Sequence, residues 1–112
     1  MEIFNSLKRS LIVQKFEVLD HKRWRSGRYI RLKIMLKDKS ILFVREYLDE
    51  NERNYSFHWQ DKNDRLIIRW DNAQHHKDIK TYPHHKHTGE TITESFEISL
   101  GEVLAYIEEY IE

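Results

Sequence analysis

The sequence has no cysteine, one proline, three glycines and no long apolar run in its 112 residues. Without cysteine, disulfides, thiolate nucleophiles and cysteine-based zinc sites are all excluded. No apolar stretch approaches the roughly 20 residues that span a bilayer. The first ten residues, "MEIFNSLKRS", also lack the apolar core of a signal peptide. We therefore expect a cytoplasmic protein that has no membrane partner.

The scarcity of proline and glycine leaves no stretch with the composition of an interdomain linker. Hydrophobic residues make up 39% of the chain and charged residues 34%, which is typical of a globular protein with a heavily charged surface. This length and composition predict a single domain, residues 1–112, with a modest core.

The formal net charge is zero, but the charges are unevenly distributed. The most basic stretch, "HKRWRSGRYIRLK" (21–33), contains six Lys or Arg, no acid and two aromatic residues. Cations there would bind phosphates while the aromatic rings stack on bases. The alternative is that these charges simply face water. The candidate RNA-binding residues are Arg23, Trp24, Arg25, Arg28, Tyr29, Arg31 and Lys33.

Alternation of apolar and polar residues predicts β-strands through the middle of the chain, separated by short polar turns. We expect strands over residues 11–19, 28–37, 41–47, 54–60 and 66–70. The last two strands should form a hairpin whose apolar face packs under a C-terminal helix. That face consists of Tyr55, Phe57, Trp59, Leu66, Ile68 and Trp70.

Helices are predicted at both ends of the chain. Ser99 and Glu102 have the spacing of a capping box, and an apolar stripe at helical spacing follows them. The N-terminal stretch "EIFNSLKRSL" has a weaker helical pattern. The predicted fold class is α+β, an antiparallel β-meander of about five strands with flanking N- and C-terminal helices.

Five of the seven histidines fall within "DNAQHHKDIKTYPHHKH" (71–87), which we expect to be irregular. It is interpretable as a metal site, an acid–base site or a solvated loop. In an extended chain, His85 and His87 point to one side, as metal ligands would. Asp71, Asp78, His75 and His76 would complete the set. Lys86, however, adds a cation between them, and no specific ligand signature is present.

Histidines beside cations favour cleavage of RNA. The reaction needs a base for the 2′-hydroxyl, an acid for the departing 5′-oxygen, and cations such as Lys86 and Arg69 for the phosphoryl oxygens. Hairpin pairing should bring His58 close to Arg69 and Asp71. We expect no metal and no cofactor. The candidate catalytic residues are His58, Arg69, Asp71, His75, His76, His84, His85, Lys86 and His87.

The ordered motifs "YSFHWQ" (55–60), "RWDNAQHH" (69–76) and "PHHKH" (83–87) resemble the TumE family of small prokaryotic toxin–antitoxin proteins. The resemblance implies a cytoplasmic toxin encoded beside a helix-turn-helix antitoxin that binds and neutralises it. It supplies no catalytic residues. The predicted sheet and helices are also similar in general shape to RelE-like and barnase-like endoribonucleases.

We therefore predict the toxin of a type II toxin–antitoxin system, acting as a metal-independent endoribonuclease. Its predicted partners are RNA and the antitoxin, and homo-oligomerisation is left open. Two alternatives remain: a non-enzymatic module that binds nucleic acid or protein, and a metal-dependent hydrolase that uses the histidines.

Overall fold

The computed structural model describes residues 2–111, which form a seven-stranded antiparallel sheet and two helices. The helices are α1 (Glu2–Arg9) and α2 (Leu100–Ile111). The strands are β1 (Val13–Trp24), β2 (Gly27–Leu36), β3 (Ile41–Leu48), β4 (Arg53–Gln60), β5 (Leu66–Asp71), β6 (His85–Thr88) and β7 (Thr91–Glu94). Each strand pairs with its neighbours in sequence, so the predicted α+β class and antiparallel meander are confirmed. Neither helix is long and apolar enough to cross a membrane.

The predicted count of about five strands was wrong, because β6 and β7 add a hairpin in a region expected to be irregular. These two strands are only four residues each and lack apolar alternation. The turn between them contains Gly89 at φ +62°. Glycine adopts this left-handed conformation without a steric penalty, so Gly89 was the sequence signal for the turn.

The core lies between the two helices and one face of the sheet. Val103 and Ile107 of α2 are fully buried there. Two aromatic pairs join α2 to the β4–β5 hairpin with ring planes nearly perpendicular. Trp59 meets Tyr110 at 4.9 Å between ring centroids, and Trp70 meets Tyr106 at 5.5 Å. The predicted packing of this hairpin under the C-terminal helix is confirmed except at Leu66. A register shift pairs Leu66 with Gln60, and Ile67 packs against the core instead.

The start of α2 is fixed by reciprocal hydrogen bonds between Ser99 and Glu102. The backbone N–H of Ser99 donates to Glu102 Oε1 at 3.1 Å, and the backbone N–H of Glu102 donates to Ser99 Oγ at 3.2 Å. These bonds satisfy amide groups that have no partner within the helix. The predicted capping box is therefore confirmed.

The buried carboxylate of Glu46 links β3 to β2 and β4 on the helix-covered side of the sheet. Its side chain accepts from Arg28 Nη2 at 2.7 Å and from Arg53 Nε at 2.9 Å. Arg53 also donates to the carbonyl oxygen of Ile98, just before α2. Glu46 is only 6% exposed, so its charge depends on these two guanidinium groups. Arg28, a candidate RNA-binding residue, is thus held in the interior network.

The other face of the sheet has no helix on it among residues 2–111, and we call it the open face. Because residues paired across antiparallel strands point to the same side, the register assigns its side chains. Members on β1 to β3 include the acids Glu17 and Asp20, which pair with Lys33 and Arg31, together with Lys22, Trp24, Tyr29, Phe43, Arg45 and Tyr47. Members on β4 to β6 are Ser56, His58, Arg69, Asp71, His85 and His87. The open face is therefore basic and aromatic at one end and rich in histidine at the other.

Replacing Glu46 by Gln should destabilise the fold by about 3 kcal/mol, because two partly buried guanidinium groups lose their counter-charge. The matched control is Glu97→Gln. Glu97 also contacts Arg53, at 3.3 Å, but its side chain is 59% exposed, so the loss should stay below about 1 kcal/mol. Urea unfolding of both variants measures the difference. Equal losses would show that burial of Glu46 does not govern its contribution.

Candidate functional site

Two adjacent rows of side chains cross the open face from β2 to β6. The first row runs through Lys33, Phe43, His58, Arg69 and His87. The second runs through Arg31, Arg45, Ser56, Asp71 and His85. Arg69 therefore has a histidine on each neighbouring strand. His58 and His87 are two strands apart, which separates their backbones by about 10 Å.

The carboxylate of Asp71, at the end of β5, is the centre of the contacts in this region. It is 5% exposed. Its Oδ2 accepts from Arg69 Nε at 3.1 Å and lies 3.3 Å from His87 Nε2. Its Oδ1 accepts from the backbone N–H of Ala73 at 3.0 Å and lies 2.8 Å from His85 Nε2. One buried carboxylate thus fixes an arginine and two imidazoles.

His85 is 2% exposed, and its two ring nitrogens have different surroundings. Nδ1 lies 2.9 Å from the carbonyl oxygen of Pro83. A carbonyl oxygen only accepts, so Nδ1 carries the proton and donates. Nε2 is near Asp71, but that contact lacks hydrogen-bond geometry, and no other residue within 2–111 bonds to it. His85 Nε2 is therefore buried without a hydrogen-bond partner among residues 2–111.

His76 comes from the irregular segment between β5 and β6 and lies against the histidines of β6. Its ring centroid is 4.9 Å from that of His85 and 5.8 Å from that of His87. One ring nitrogen from each of these three histidines lies within 4.8 Å of the others. We call Asp71, His76, His85 and His87 the Asp71 cluster. Its donors, three imidazoles and one carboxylate, are residue types that bind metal ions.

His58 stands on the opposite side of Arg69 from the Asp71 cluster. Its Nδ1 is 3.5 Å from Arg69 Nη1, which is too long for a strong hydrogen bond. Burial lowers the pKa of His58, and the positive charge of Arg69 lowers it further. Burial also lowers the pKa of His87, in spite of the nearby carboxylate of Asp71. Both imidazoles are therefore mainly neutral at neutral pH.

Three candidate catalytic residues do not join this site. His75 is exposed, although its neighbour His76 belongs to the Asp71 cluster. His84 Nδ1 is 2.9 Å from the hydroxyl of Tyr55, a core residue on the helix-covered side. Lys86 pairs with Trp70, so it also points to the helix-covered side. The alternation that brings His85 and His87 together sends Lys86 away from them.

The candidate RNA-binding residues are divided between the two sides of the sheet. Trp24, Tyr29, Arg31 and Lys33 lie on the open face, and the rings of Trp24 and Tyr47 are 5.7 Å apart between centroids. Arg28 is hydrogen-bonded to Glu46. Arg23 pairs with Arg28 between β1 and β2, and Arg25 lies in the β1–β2 turn.

Sequence reasoning missed Tyr47 and two further residues of the open face, Phe43 and Arg45. Arg45 is exposed, and the ring of Phe43 lies 6.4 Å from that of His58 between centroids. The signal was present in β3, where these two residues alternate with the buried Leu42 and Val44. The third strand therefore extends the basic, aromatic surface to the histidines.

Titration of His58 by NMR should give a pKa below its ordinary value of 6.5, because burial and Arg69 both oppose its protonation. In Arg69→Gln the pKa should rise but stay below 6.5, since burial, the larger cause, remains. Arg65→Gln, at the exposed β4–β5 turn, is the charge-matched control and should leave the value unchanged. A wild-type pKa at or above 6.5 would contradict this assignment.

The sequence matches one family model, described as Toxin TumE, over residues 3–111. No curated protein and no solved structure matches it. The predicted likeness to RelE-like and barnase-like enzymes accordingly stays a prediction. The family match covers the whole sheet, α2, α1 from Ile3 onward and every member of the Asp71 cluster. It implies a toxin role with a cognate antitoxin as partner, and the chain belongs to the TumE family of toxins.

Proposed function

We propose that this TumE-family toxin is an endoribonuclease that binds RNA on the open face and cleaves it beside Arg69. The observation that carries the proposal is the placement of Arg69 between His58 and His87 in one row across β4, β5 and β6. An arginine flanked by imidazoles suits a phosphate that needs a charge stabiliser and proton-transfer groups on either side.

The reaction we propose is attack of the ribose 2′-oxygen on the adjacent phosphorus. His58, neutral at working pH, accepts the 2′-hydroxyl proton as the new P–O bond forms. The bond to the 5′-oxygen breaks, and that oxygen takes a proton from solvent water, leaving a 2′,3′-cyclic phosphate and a free 5′-hydroxyl. Arg69 stabilises the negative charge on the phosphoryl oxygens, and its Nε bond to Asp71 orients it.

In-line displacement puts the attacking and departing oxygens on opposite sides of the phosphorus. With His58 on the attacking side, the 5′-oxygen departs toward the Asp71 cluster. Charge on that oxygen must be neutralised there by a proton donor or another cation. The separation of His58 from His87 across two strands leaves room for a phosphate over Arg69.

The rest of the open face supports the choice of RNA as substrate. Cationic Arg31, Lys33 and Arg45 lead toward His58 along the two rows. Aromatic Trp24, Tyr29, Tyr47 and Phe43 lie on the same face, where unpaired bases would stack. Cations and stacking rings together are the usual means of binding single-stranded nucleic acid.

The family match supports an antitoxin as the second partner. We propose that it is a helix-turn-helix protein of a type II system and that it neutralises the toxin in the cytoplasm by covering the open face. The alternative is a module that binds nucleic acid or protein without cleaving it. If the protein cleaves RNA, replacing His58 should abolish toxicity. If it only binds, toxicity should persist.

Replacing His58 by Ala should reduce RNA cleavage by about 10²–10⁴-fold, the usual contribution of a general base, with little change in RNA affinity. His75→Ala is the control, because His75 is exposed and outside the site. Cleavage of a labelled RNA and growth arrest at equal expression are the measurements. If His58→Ala is as active and toxic as the wild type, the cleavage chemistry is wrong and the binding module replaces it.

The double variant Arg31→Gln/Arg45→Gln should weaken RNA binding because it removes two phosphate contacts on the open face. The slope of log K against log salt should become shallower by about 1.4, since each contact to single-stranded RNA contributes about 0.7. Lys8→Gln/Arg9→Gln, at the exposed end of α1, removes the same charge and should change neither. Equal effects of the two double variants would contradict the placement of RNA.

A further inference from the structure

We propose that the Asp71 cluster is a binding site for one divalent transition-metal ion, with zinc the best fit. The ligands are His76, His85, His87 and Asp71. Binding of the ion rests on the grouping of the three histidine nitrogens and on the contacts of Asp71 with His85 and His87. Only its role in RNA cleavage rests on the proposed function.

His85 is the first support for the site. Its Nδ1–H donates to the carbonyl oxygen of Pro83, so the lone pair of Nε2 is directed into the cluster. In metal sites a ligating histidine commonly donates its other ring N–H to a backbone carbonyl, which fixes the tautomer and the ring orientation. A nitrogen buried this deeply without a hydrogen bond is costly, and a metal bond would satisfy it.

The spacing of the donor atoms is the second support. His85 Nε2 is 2.8 Å from Asp71 Oδ1, and His87 Nε2 is 3.3 Å from Asp71 Oδ2. Neighbouring ligands that share a tetrahedral zinc at about 2.0–2.1 Å lie about 3.3 Å apart. The third imidazole, His76, brings its ring nitrogen within 4.8 Å of the other two.

The chemistry of the donors selects the class of ion. Three imidazole nitrogens and one carboxylate oxygen suit zinc and its transition-metal neighbours. Magnesium and calcium prefer oxygen ligands, of which this cluster has few. Lys86 does not oppose a cation here, because it points to the other side of the sheet.

The position of the cluster suggests what the ion does. It lies on the side of Arg69 away from His58, where the proposed reaction releases the 5′-oxygen. A cation held there would stabilise the charge on that oxygen. The sequence favoured a metal-free reaction, and this proposal adopts the metal-dependent alternative that it left open.

The test compares two neighbouring histidines, His76 in the cluster and His75 outside it. Tag-free wild type, His75→Ala and His76→Ala are stripped with EDTA and titrated with Zn²⁺ by calorimetry, and bound zinc is counted by elemental analysis. Wild type and His75→Ala should bind one ion per chain. His76→Ala should lose at least about 10-fold in affinity, because it removes a direct ligand. His87→Ala should lose as much.

Thermal unfolding of the stripped proteins checks that the fold is kept, and the visible spectrum with Co²⁺ reports whether the ligands are tetrahedral. Equal zinc affinity in His75→Ala and His76→Ala, or no stoichiometric binding by the wild type, overturns the site. Zinc binding without RNA cleavage would support the site and reject the proposed function. Cleavage that persists in EDTA would reject the ion's role in the reaction and leave the proposed function standing.

Discussion

The buried carboxylate of Asp71 is the constraint on which the site depends. A carboxylate that is 5% exposed needs compensating groups, because an isolated charge is strongly disfavoured away from water. Asp71 finds them in the guanidinium of Arg69 and the backbone N–H of Ala73, and His85 and His87 of the next strand lie against its two oxygens. The need to stabilise one charge therefore orders the residues that we propose meet the phosphate and the metal ion.

Each side of the sheet buries one carboxylate, and the two carboxylates have different partners. On the helix-covered side, buried Glu46 binds Arg28 and Arg53 and leads through Arg53 to the start of α2. On the open face, Asp71 gathers mainly imidazoles, which gain and lose protons and bind metals near neutral pH. The first arrangement stabilises the fold, and the second supplies chemistry on a face left uncovered by the helices.

The strong periodic signals made much of the fold predictable. The alternation in β4 and β5 placed Trp59 and Trp70 under α2, and the spacing of Ser99 and Glu102 marked where α2 begins. The β6–β7 hairpin was missed because its strands are short and their buried group is His85 rather than an aliphatic residue. Alternation of apolar and polar residues does not reveal a strand whose buried side chain is polar.

The site was predictable only where strand pairing determines it. Pairing of β4 with β5 placed His58 beside Arg69, as the hairpin required. The choice between His75 and His76 depends on the path of the irregular segment, which has no periodicity. Lys86, in contrast, lies on the other side of the sheet because of the same alternation that brings His85 and His87 together. Its prediction as a catalytic residue was wrong because it grouped residues by their nearness in sequence.

The meander also sets an order in which the molecule becomes complete. Every strand pairs only with its sequence neighbours, and the connections from β1 to β5 are short, so these strands are able to pair in order as the chain emerges during synthesis. The long connection, residues 72–84, comes before β6. His58 and Arg69 are then in place before β6 docks with His85 and His87. A chain that ends before β6 lacks His85 and His87, and it also lacks α2, whose Val103 and Ile107 are fully buried against the sheet. The chain beyond β5 therefore supplies both the histidines of β6 and the helix that closes the core.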